Sequence, residues 1–164
     1  MPDTISRYAS PTEGTLEVAK LMSNAGISVN MHYGCDESWT YGSYIPSALV
    51  NAFGYPSGIS YVSFEPNTVI GELKYGNRPV IMTGIDPAYG GHAWVCDGYA
   101  RTIYSVIHNP DTYYEYKTYI FTAPYFNMNW GWDGSSNGWY VYPGFTPGDY
   151  NFDSRTMCVI NIHP

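Results

Sequence analysis

Hydrophobic residues in the first part of the chain recur at helical spacing. From Val18 to Ala25 the apolar side chains lie three or four residues apart, as on the buried stripe of a helix. Ser10-Pro11-Thr12-Glu13 has the pattern of a capping box with proline in the first turn, and Gly26 is a typical helix end. The pattern therefore predicts a first helix that ends at Gly26.

The following residues change to a period of two and then lose periodicity. Apolar and polar residues alternate from Ile27 to Tyr33, which predicts a half-buried strand. Gly34–Gly42 fits neither period and predicts a surface loop. Two short helices, Tyr44–Phe53 and Asn67–Tyr75, are predicted on either side of a strand at Tyr61–Phe64.

From Pro79 onward the pattern indicates strands and turns. The predicted strands are Val80–Thr83, His92–Ala100, Thr102–Ile107, Lys117–Thr122, Phe126–Trp130, Trp139–Val141 and Met157–Ile162. Helices first and strands afterward are typical of the α+β class with an antiparallel sheet. Because the chain shows no repeat or linker, we expect residues 1–164 to form a single domain.

Composition and charge exclude several classes of protein. With 45% apolar, 18% aromatic and 13% charged residues, the 164-residue chain can form an ordered core. A net charge of −7 with seven scattered basic residues argues against nucleic-acid binding. The sequence has neither an apolar run long enough for a membrane span nor the pattern of a signal peptide.

Two sequence islands carry the residue types of an active site. Gly90–Tyr99 contains Gly-Gly-His, in which His92 at the start of a strand could act as a general base. Phe126–Gly134 contains Asn129, which could accept a ring N–H from the imidazole, and Trp130, which could shield that bond. The separation, 129 − 92 = 37 residues, allows the two strands to be neighbours. Taken singly, such islands are more often a structural histidine and an aromatic turn than parts of an active site.

Together and in this order, the motifs resemble the streptopain family of papain-like cysteine peptidases. The resemblance rests on Gly-Gly-His-Ala-Trp-Val-Cys-Asp-Gly, Asn-Trp-Gly-Trp-Asp-Gly and a following Gly-Trp-Tyr strand. Upstream, Ala19–Gly34 and Phe53-Gly54-Tyr55 are also similar to that family. The resemblance implies a papain-like α+β fold, here the C-terminal portion of a peptidase domain, with a few helices packed on an antiparallel sheet.

The resemblance also implies residue roles in a Cys–His–Asn mechanism of peptide-bond hydrolysis. His92 would be the general base, Asn129 would fix its tautomer, and Trp130 would cover the bond between them. The expected walls of the substrate cleft are Gly91, Gly34, Cys35, Asp36, Ser38 and Trp132. The implied partner is a polypeptide substrate, and we expect no cofactor and no metal.

The nucleophile is where this sequence departs from the family pattern. Nothing before Leu16 matches the family's Gly-Cys-Val-Ala-type segment, and Cys35 is the first cysteine of the chain. Asp36 and Glu37 follow Cys35, whereas an activated thiolate needs an electropositive setting. Cys96 and Cys158 fall in apolar strands and are expected in the core. We therefore expect a truncated domain, inactive alone, whose missing N-terminal half or pro-segment is a possible partner and whose complete protein is secreted or in the cell envelope.

A binding module is the alternative from a different functional class. An acidic domain rich in tyrosine and tryptophan could bind carbohydrate or peptide on exposed aromatic platforms without catalysis. This alternative predicts Trp39, Trp132 and Trp139 exposed on one surface.

Overall fold

The computed structural model describes residues 12–163 of the chain. These residues divide into two compact units after Ser57, and each unit is described by itself. The prediction of a single domain for residues 1–164 stays a prediction. Within the described range, every helix is too short or too polar to cross a membrane.

The first unit begins with helix α1, Glu13–Ser28, which starts at a capping box. The Thr12 hydroxyl accepts from the Thr15 backbone N–H at 3.3 Å, and the Thr15 hydroxyl accepts from the Thr12 N–H at 2.7 Å. Two of the unpaired N–H groups at this helix end are thereby satisfied. The capping residue is Thr12, whereas Ser10 and Pro11 of the predicted box lie outside the described residues.

The predicted helix end at Gly26 is wrong, because this glycine packs inside α1. A Cβ on Gly26 would lie 1.8 Å from the Tyr33 hydroxyl oxygen, so only glycine allows the tyrosine to cross the helix there. The predicted strand from Ile27 shrinks accordingly to β1, His32–Tyr33, which pairs with β2, Ser38–Trp39.

A 3₁₀ turn at Gly42–Tyr44 and helix α2, Ile45–Phe53, complete the first unit. The helix ends at Gly54, which has φ 73°, a left-handed conformation that glycine adopts without steric cost. The predicted helix with its glycine stop is confirmed.

The second unit is an antiparallel sheet of six strands with helix α3, Pro66–Lys74, packed on it. The sheet order is β3-β10-β4-β5-β8-β9, with strands at Ser60–Ser63 (β3), Val80–Asp86 (β4), Gly90–Ala100 (β5), Tyr125–Asn129 (β8), Gly138–Val141 (β9) and Ser154–Ile160 (β10). Strands β6, Ile103–His108, and β7, Tyr116–Phe121, form a separate hairpin between β5 and β8. The α+β prediction with an antiparallel sheet is confirmed.

Alternation along the strands builds the core on one face of the sheet. Met82, Trp94 and Met128 are each 3% exposed or less, whereas their strand neighbours are more exposed. Successive side chains of a strand point to opposite faces, so these buried positions define the core side. His92 belongs to the same phase as Trp94, which directs its ring toward the core side.

Candidate active site

His92 is the third residue of β5 and its ring lies among aromatic side chains. Its backbone pairs with Gly84 on β4, which is buried. The imidazole centroid is 4.8 Å from the ring of Trp132 and 5.5 Å from the ring of Phe152. Half-buried between these rings, the imidazole is confined by packing on the core side of the sheet.

A hydrogen bond fixes the tautomer of this imidazole. The His92 Nε2 lies 2.8 Å from the backbone carbonyl oxygen of Trp130. A carbonyl oxygen can only accept, so Nε2 must carry the proton and donate it. Nδ1 of the neutral ring then keeps a lone pair, which is the atom state that a general base requires.

Asn129 occupies a different position from the one expected. Its Oδ1 accepts from the backbone N–H of Gly131 at 3.1 Å, and the residue is exposed. The physical reason is strand phase, because Met128 and Trp130 are buried and Asn129 points to the opposite face. The acceptor of the imidazole proton is therefore the Trp130 backbone instead of the Asn129 side chain.

The Trp130 carbonyl is held in place from several sides. Strand β8 pairs with β5 so that Asn129 stands opposite Val95. The Trp130 backbone N–H donates to Asn137 Oδ1 at 2.9 Å. The indole is fully buried, 4.6 Å from the ring of Trp94. With its N–H anchored and its ring packed, the peptide unit presents a rigid acceptor to the imidazole.

The residues expected to line a substrate cleft fall into two groups. Trp132 is half-buried against His92, and Gly91 is exposed beside it. A Cβ on Gly91 would have only the Gly84 carbonyl oxygen nearby, at 3.7 Å. Its lack of a side chain is therefore not required by packing among the residues that the structure describes.

Gly34, Cys35, Asp36 and Ser38 belong to the first unit and are all exposed. Gly34 has a local structural reason, since a Cβ there would lie 2.5 Å from the Glu37 carbonyl oxygen in the β1–β2 turn. The part of these residues in substrate binding stays a prediction.

The three cysteines differ sharply in exposure. Cys96 and Cys158 are fully buried, as predicted, and Cys35 is exposed. Burial raises the pKa of Cys96 to about 12 and the pKa of Cys158 to about 11. Neither buried thiol is a nucleophile near neutral pH, because the reactive species is the thiolate.

Sequence reasoning missed the residues that surround His92 from outside the two islands. Phe152 and Tyr150 stack on each other at 5.6 Å, and Tyr150 lies 5.3 Å from Trp132. Asp86, at the end of β4, accepts a backbone hydrogen bond from Asn151 between them. These residues are far from His92 in sequence, so no local pattern joined them to it.

Comparison with known proteins finds one matching family model and several relatives that are named as proteases. The model of the family described as "Peptidase C10 family" matches residues 1–140. In an alignment 177 residues long, the chain is 30% identical to the thiol protease/hemagglutinin PrtT of Porphyromonas gingivalis, covering all of this chain and 18% of that protein. It is 26% identical to streptopain of Streptococcus pyogenes, covering 91% of this chain and 35% of streptopain.

A solved structure shows the same fold. The active wild-type interpain A cysteine protease of Prevotella intermedia superposes with a TM-score of 0.69, at 24% identity, over 96% of this chain and 61% of that chain. The predicted papain-like fold is thereby confirmed. The chain spans about a fifth of PrtT's length and about a third of streptopain's.

Proposed function

The chain belongs to the Peptidase C10 family, and we propose that it carries the histidine-bearing part of a cysteine peptidase site that cleaves polypeptides by acyl transfer. His92 is the general base of this site. It takes the proton of a cysteine thiol through Nδ1 and later returns a proton to the leaving amine.

The observation that supports this proposal best is the bond between His92 Nε2 and the Trp130 carbonyl, 2.8 Å long. It does for the ring what an asparagine side chain does in the related mechanism, since it selects the Nε2–H tautomer. Trp130 thus contributes its backbone to the site. Asn129 contributes by accepting from Gly131, which shapes the turn that follows this carbonyl.

None of the chain's own cysteines serves as the nucleophile in this proposal. Cys96 and Cys158 are excluded by burial and by their raised pKa values. Cys35 lies exposed in the short β1–β2 hairpin instead of at the start of a helix, which is a setting that activates a thiol. The 164-residue chain alone is then inactive, and the nucleophile comes from another segment or another chain.

A reconstitution assay tests the proposal. The chain is mixed with the cysteine-bearing segment of a Peptidase C10 relative, and casein hydrolysis is measured together with labelling by a thiol-directed peptidyl inhibitor. We expect hydrolysis only in the mixture, lost in His92→Gln and kept in the matched variant His108→Gln, whose histidine lies on the β6–β7 hairpin.

Cys35→Ser decides the question of the nucleophile. We expect this variant still to hydrolyse casein in the mixture, and the inhibitor to label the added cysteine. Hydrolysis by the chain alone, with stoichiometric labelling at Cys35 and loss in Cys35→Ser, would contradict the proposal.

The aromatic-platform alternative finds less support. Trp139 and Trp39 are 53% and 46% exposed, but Trp132 is half-buried against His92 and Tyr150. A tryptophan used as a ligand platform must offer its face to solvent. Export of the complete protein to the medium or the cell envelope stays part of the proposal and is tested by locating the native protein in cell fractions.

A further inference from the structure

The carboxylate of Asp86 is buried and accepts three hydrogen bonds from backbone N–H groups. Asp86 is the last residue of β4 and is 5% exposed. Its Oδ1 accepts from the N–H groups of Ala88 at 2.7 Å and Tyr89 at 3.0 Å, and its Oδ2 accepts from the N–H of Asn151 at 2.6 Å. Hydrogen bonds to an ionised carboxylate are shorter and stronger than neutral ones.

These three bonds connect two segments that are distant in sequence. One is the β4–β5 turn, which leads into Gly90, Gly91 and His92. The other is the loop between β9 and β10, in which Asn151 lies 65 residues after Asp86 in sequence. Asp86 therefore acts as a clamp between the turn that precedes His92 and the loop that carries Tyr150 and Phe152.

The clamped loop supplies the packing around the imidazole. Phe152 lies 5.5 Å from the His92 ring. Tyr150 stacks on Phe152 at an interplanar angle of 9° and contacts Tyr89 of the opposite segment at 5.1 Å. Tyr150 also contacts Trp132, which lies 4.8 Å from His92.

Gly84 provides a second observation that the loop is placed closely. Gly84 stands opposite His92 on the neighbouring strand. A Cβ there would lie 2.4 Å from the Phe152 carbonyl oxygen, closer than real contacts allow. The Phe152 backbone thus rests directly on β4 beside His92, and Asp86 holds it there two residues farther along the strand.

We propose that Asp86 is a positioning residue for His92: by anchoring the Asn151 amide it keeps Phe152 packed beside the imidazole and Tyr150 packed on Phe152 and Trp132, which maintains the Nε2–H tautomer and limits access to the ring. The peptidase role of that imidazole rests on the proposed function. The clamp itself concerns the chain alone, so it is testable without any peptidase activity.

The test compares Asp86→Asn with Glu72→Gln in the 164-residue chain. Asparagine keeps the size of the side chain, but its amide NH₂ cannot accept from the Asn151 N–H. Glu72 is a second buried carboxylate, 8% exposed, whose hydrogen bonds are to Arg78 and Asn161. Two readouts are used: ring ¹⁵N shifts for the tautomer, and the rate at which diethyl pyrocarbonate modifies each histidine, resolved by mass spectrometry.

We expect modification of His92 to become about tenfold faster in Asp86→Asn, since losing a hydrogen bond to a charged group commonly shifts a local opening equilibrium by such a factor. The ring ¹⁵N shifts of His92 should move toward a mixture of tautomers. His108, on the β6–β7 hairpin, serves as an internal standard whose rate stays constant. Glu72→Gln should leave His92 unchanged in both readouts.

Phe152→Leu gives a second route that keeps the Asp86 bonds. It removes the ring beside the imidazole, and we expect the same acceleration at His92. The proposal is overturned if His92 reacts no faster in Asp86→Asn than in Glu72→Gln, or if all histidines accelerate together. Should Asp86→Asn fail to fold, an unchanged His92 rate in Phe152→Leu overturns it instead. Failure of the casein assay would count against the proposed function and leave this result intact.

Discussion

Two buried carboxylates lie near opposite ends of β4 and are used differently. Glu72, on α3, holds Arg78 just before the strand through bonds of 2.9 and 3.2 Å, and accepts from the Asn161 N–H after β10. Asp86, at the other end, is bonded to three backbone N–H groups from two loops. The Glu72 carboxylate pairs with a cation, whereas the hydrogen bonds of Asp86 all come from backbone amides.

This difference suggests that Glu72 supports the fold and that Asp86 supports the candidate site. Glu72 joins a helix to the ends of two strands, and its partners lie at the end of the sheet away from His92. Asp86 joins the turn that precedes His92 to the loop whose Phe152 ring lies beside the imidazole. A charged pair fixes two side chains, whereas a carboxylate that accepts from amides fixes the path of the backbone. We therefore expect substitutions that break the Glu72 bonds to reduce only the stability of the fold. Substitutions that break the Asp86 bonds should change the tautomer and the reactivity of His92.

Arg78→Ala should have the largest effect on stability. The variant leaves the Glu72 carboxylate buried with only the Asn161 N–H, and removing one partner of a buried pair costs about 3 kcal/mol of unfolding free energy. The cost is no larger than this because the Arg78 side chain is itself 27% exposed, so that solvent screens part of its interaction with Glu72. Urea denaturation measures it.

The double variant Glu72→Leu/Arg78→Ala is the control for this result. With no carboxylate left to desolvate, it should recover much of the lost stability. The comparison fails if Arg78→Ala changes the diethyl pyrocarbonate rate of His92 while the protein remains folded.

Gly84→Ala should act on the other end of β4. The added methyl group meets the Phe152 carbonyl at 2.4 Å and the Trp94 ring at 2.9 Å, so the loop must shift. Such overpacking costs about 2 kcal/mol. Unlike Arg78→Ala, this variant should also accelerate the modification of His92. Loss of stability with an unchanged His92 would show that the Phe152 loop does not control the imidazole.

The pH dependence of Asp86→Asn gives a smaller effect whose sign is fixed. The hydrogen bond from Asn151, with those from Ala88 and Tyr89, holds the pKa of Asp86 below its ordinary value of 3.8, against the opposing effect of burial. A carboxyl whose pKa is lowered by folding stabilises the protein above its unfolded pKa. This contribution is lost as the pH falls through the folded pKa.

The stability difference between the chain and Asp86→Asn should therefore be constant from pH 7 down to about 5. Below 3.8 it should shrink. Urea unfolding at a series of pH values measures the difference, in which the titration of the other carboxyl groups largely cancels. A difference that grows on acidification would be incompatible with the clamp.

Much of the sheet was predictable from the sequence because period-two patterns are local. The strands that carry His92 and Asn129 are predicted within two residues of their observed ends. The backbone carbonyl of Trp130 was not predicted as the acceptor of the imidazole hydrogen bond, because every residue has a backbone carbonyl. A signal was nevertheless present, since the apolar alternation of Phe126, Met128 and Trp130 already placed Asn129 on the other face.

Contacts between distant segments were beyond local patterns. The Asp86–Asn151 bond joins residues that are 65 positions apart in sequence. Position 84 requires glycine because the backbone of Phe152, in the same distant loop, packs against it. Gly26 is a similar case in the first unit, because its packing against Tyr33 overrode its usual role as a helix end. Glycine indicates a close approach, but the sequence alone does not say what approaches.

Gly91→Ala should have the smallest effect on folding and forms a matched pair with Gly84→Ala. The two glycines lie on neighbouring strands beside His92, but a Cβ on Gly91 would meet only the Gly84 carbonyl, at an ordinary distance of 3.7 Å. We expect the unfolding free energy to change by less than about 0.5 kcal/mol. In the reconstituted peptidase the same methyl group should reduce kcat/KM, because Gly91 is one of the expected walls of the substrate cleft. A large loss of stability would show that Gly91 serves the fold, and unchanged kinetics would show that substrate binds elsewhere.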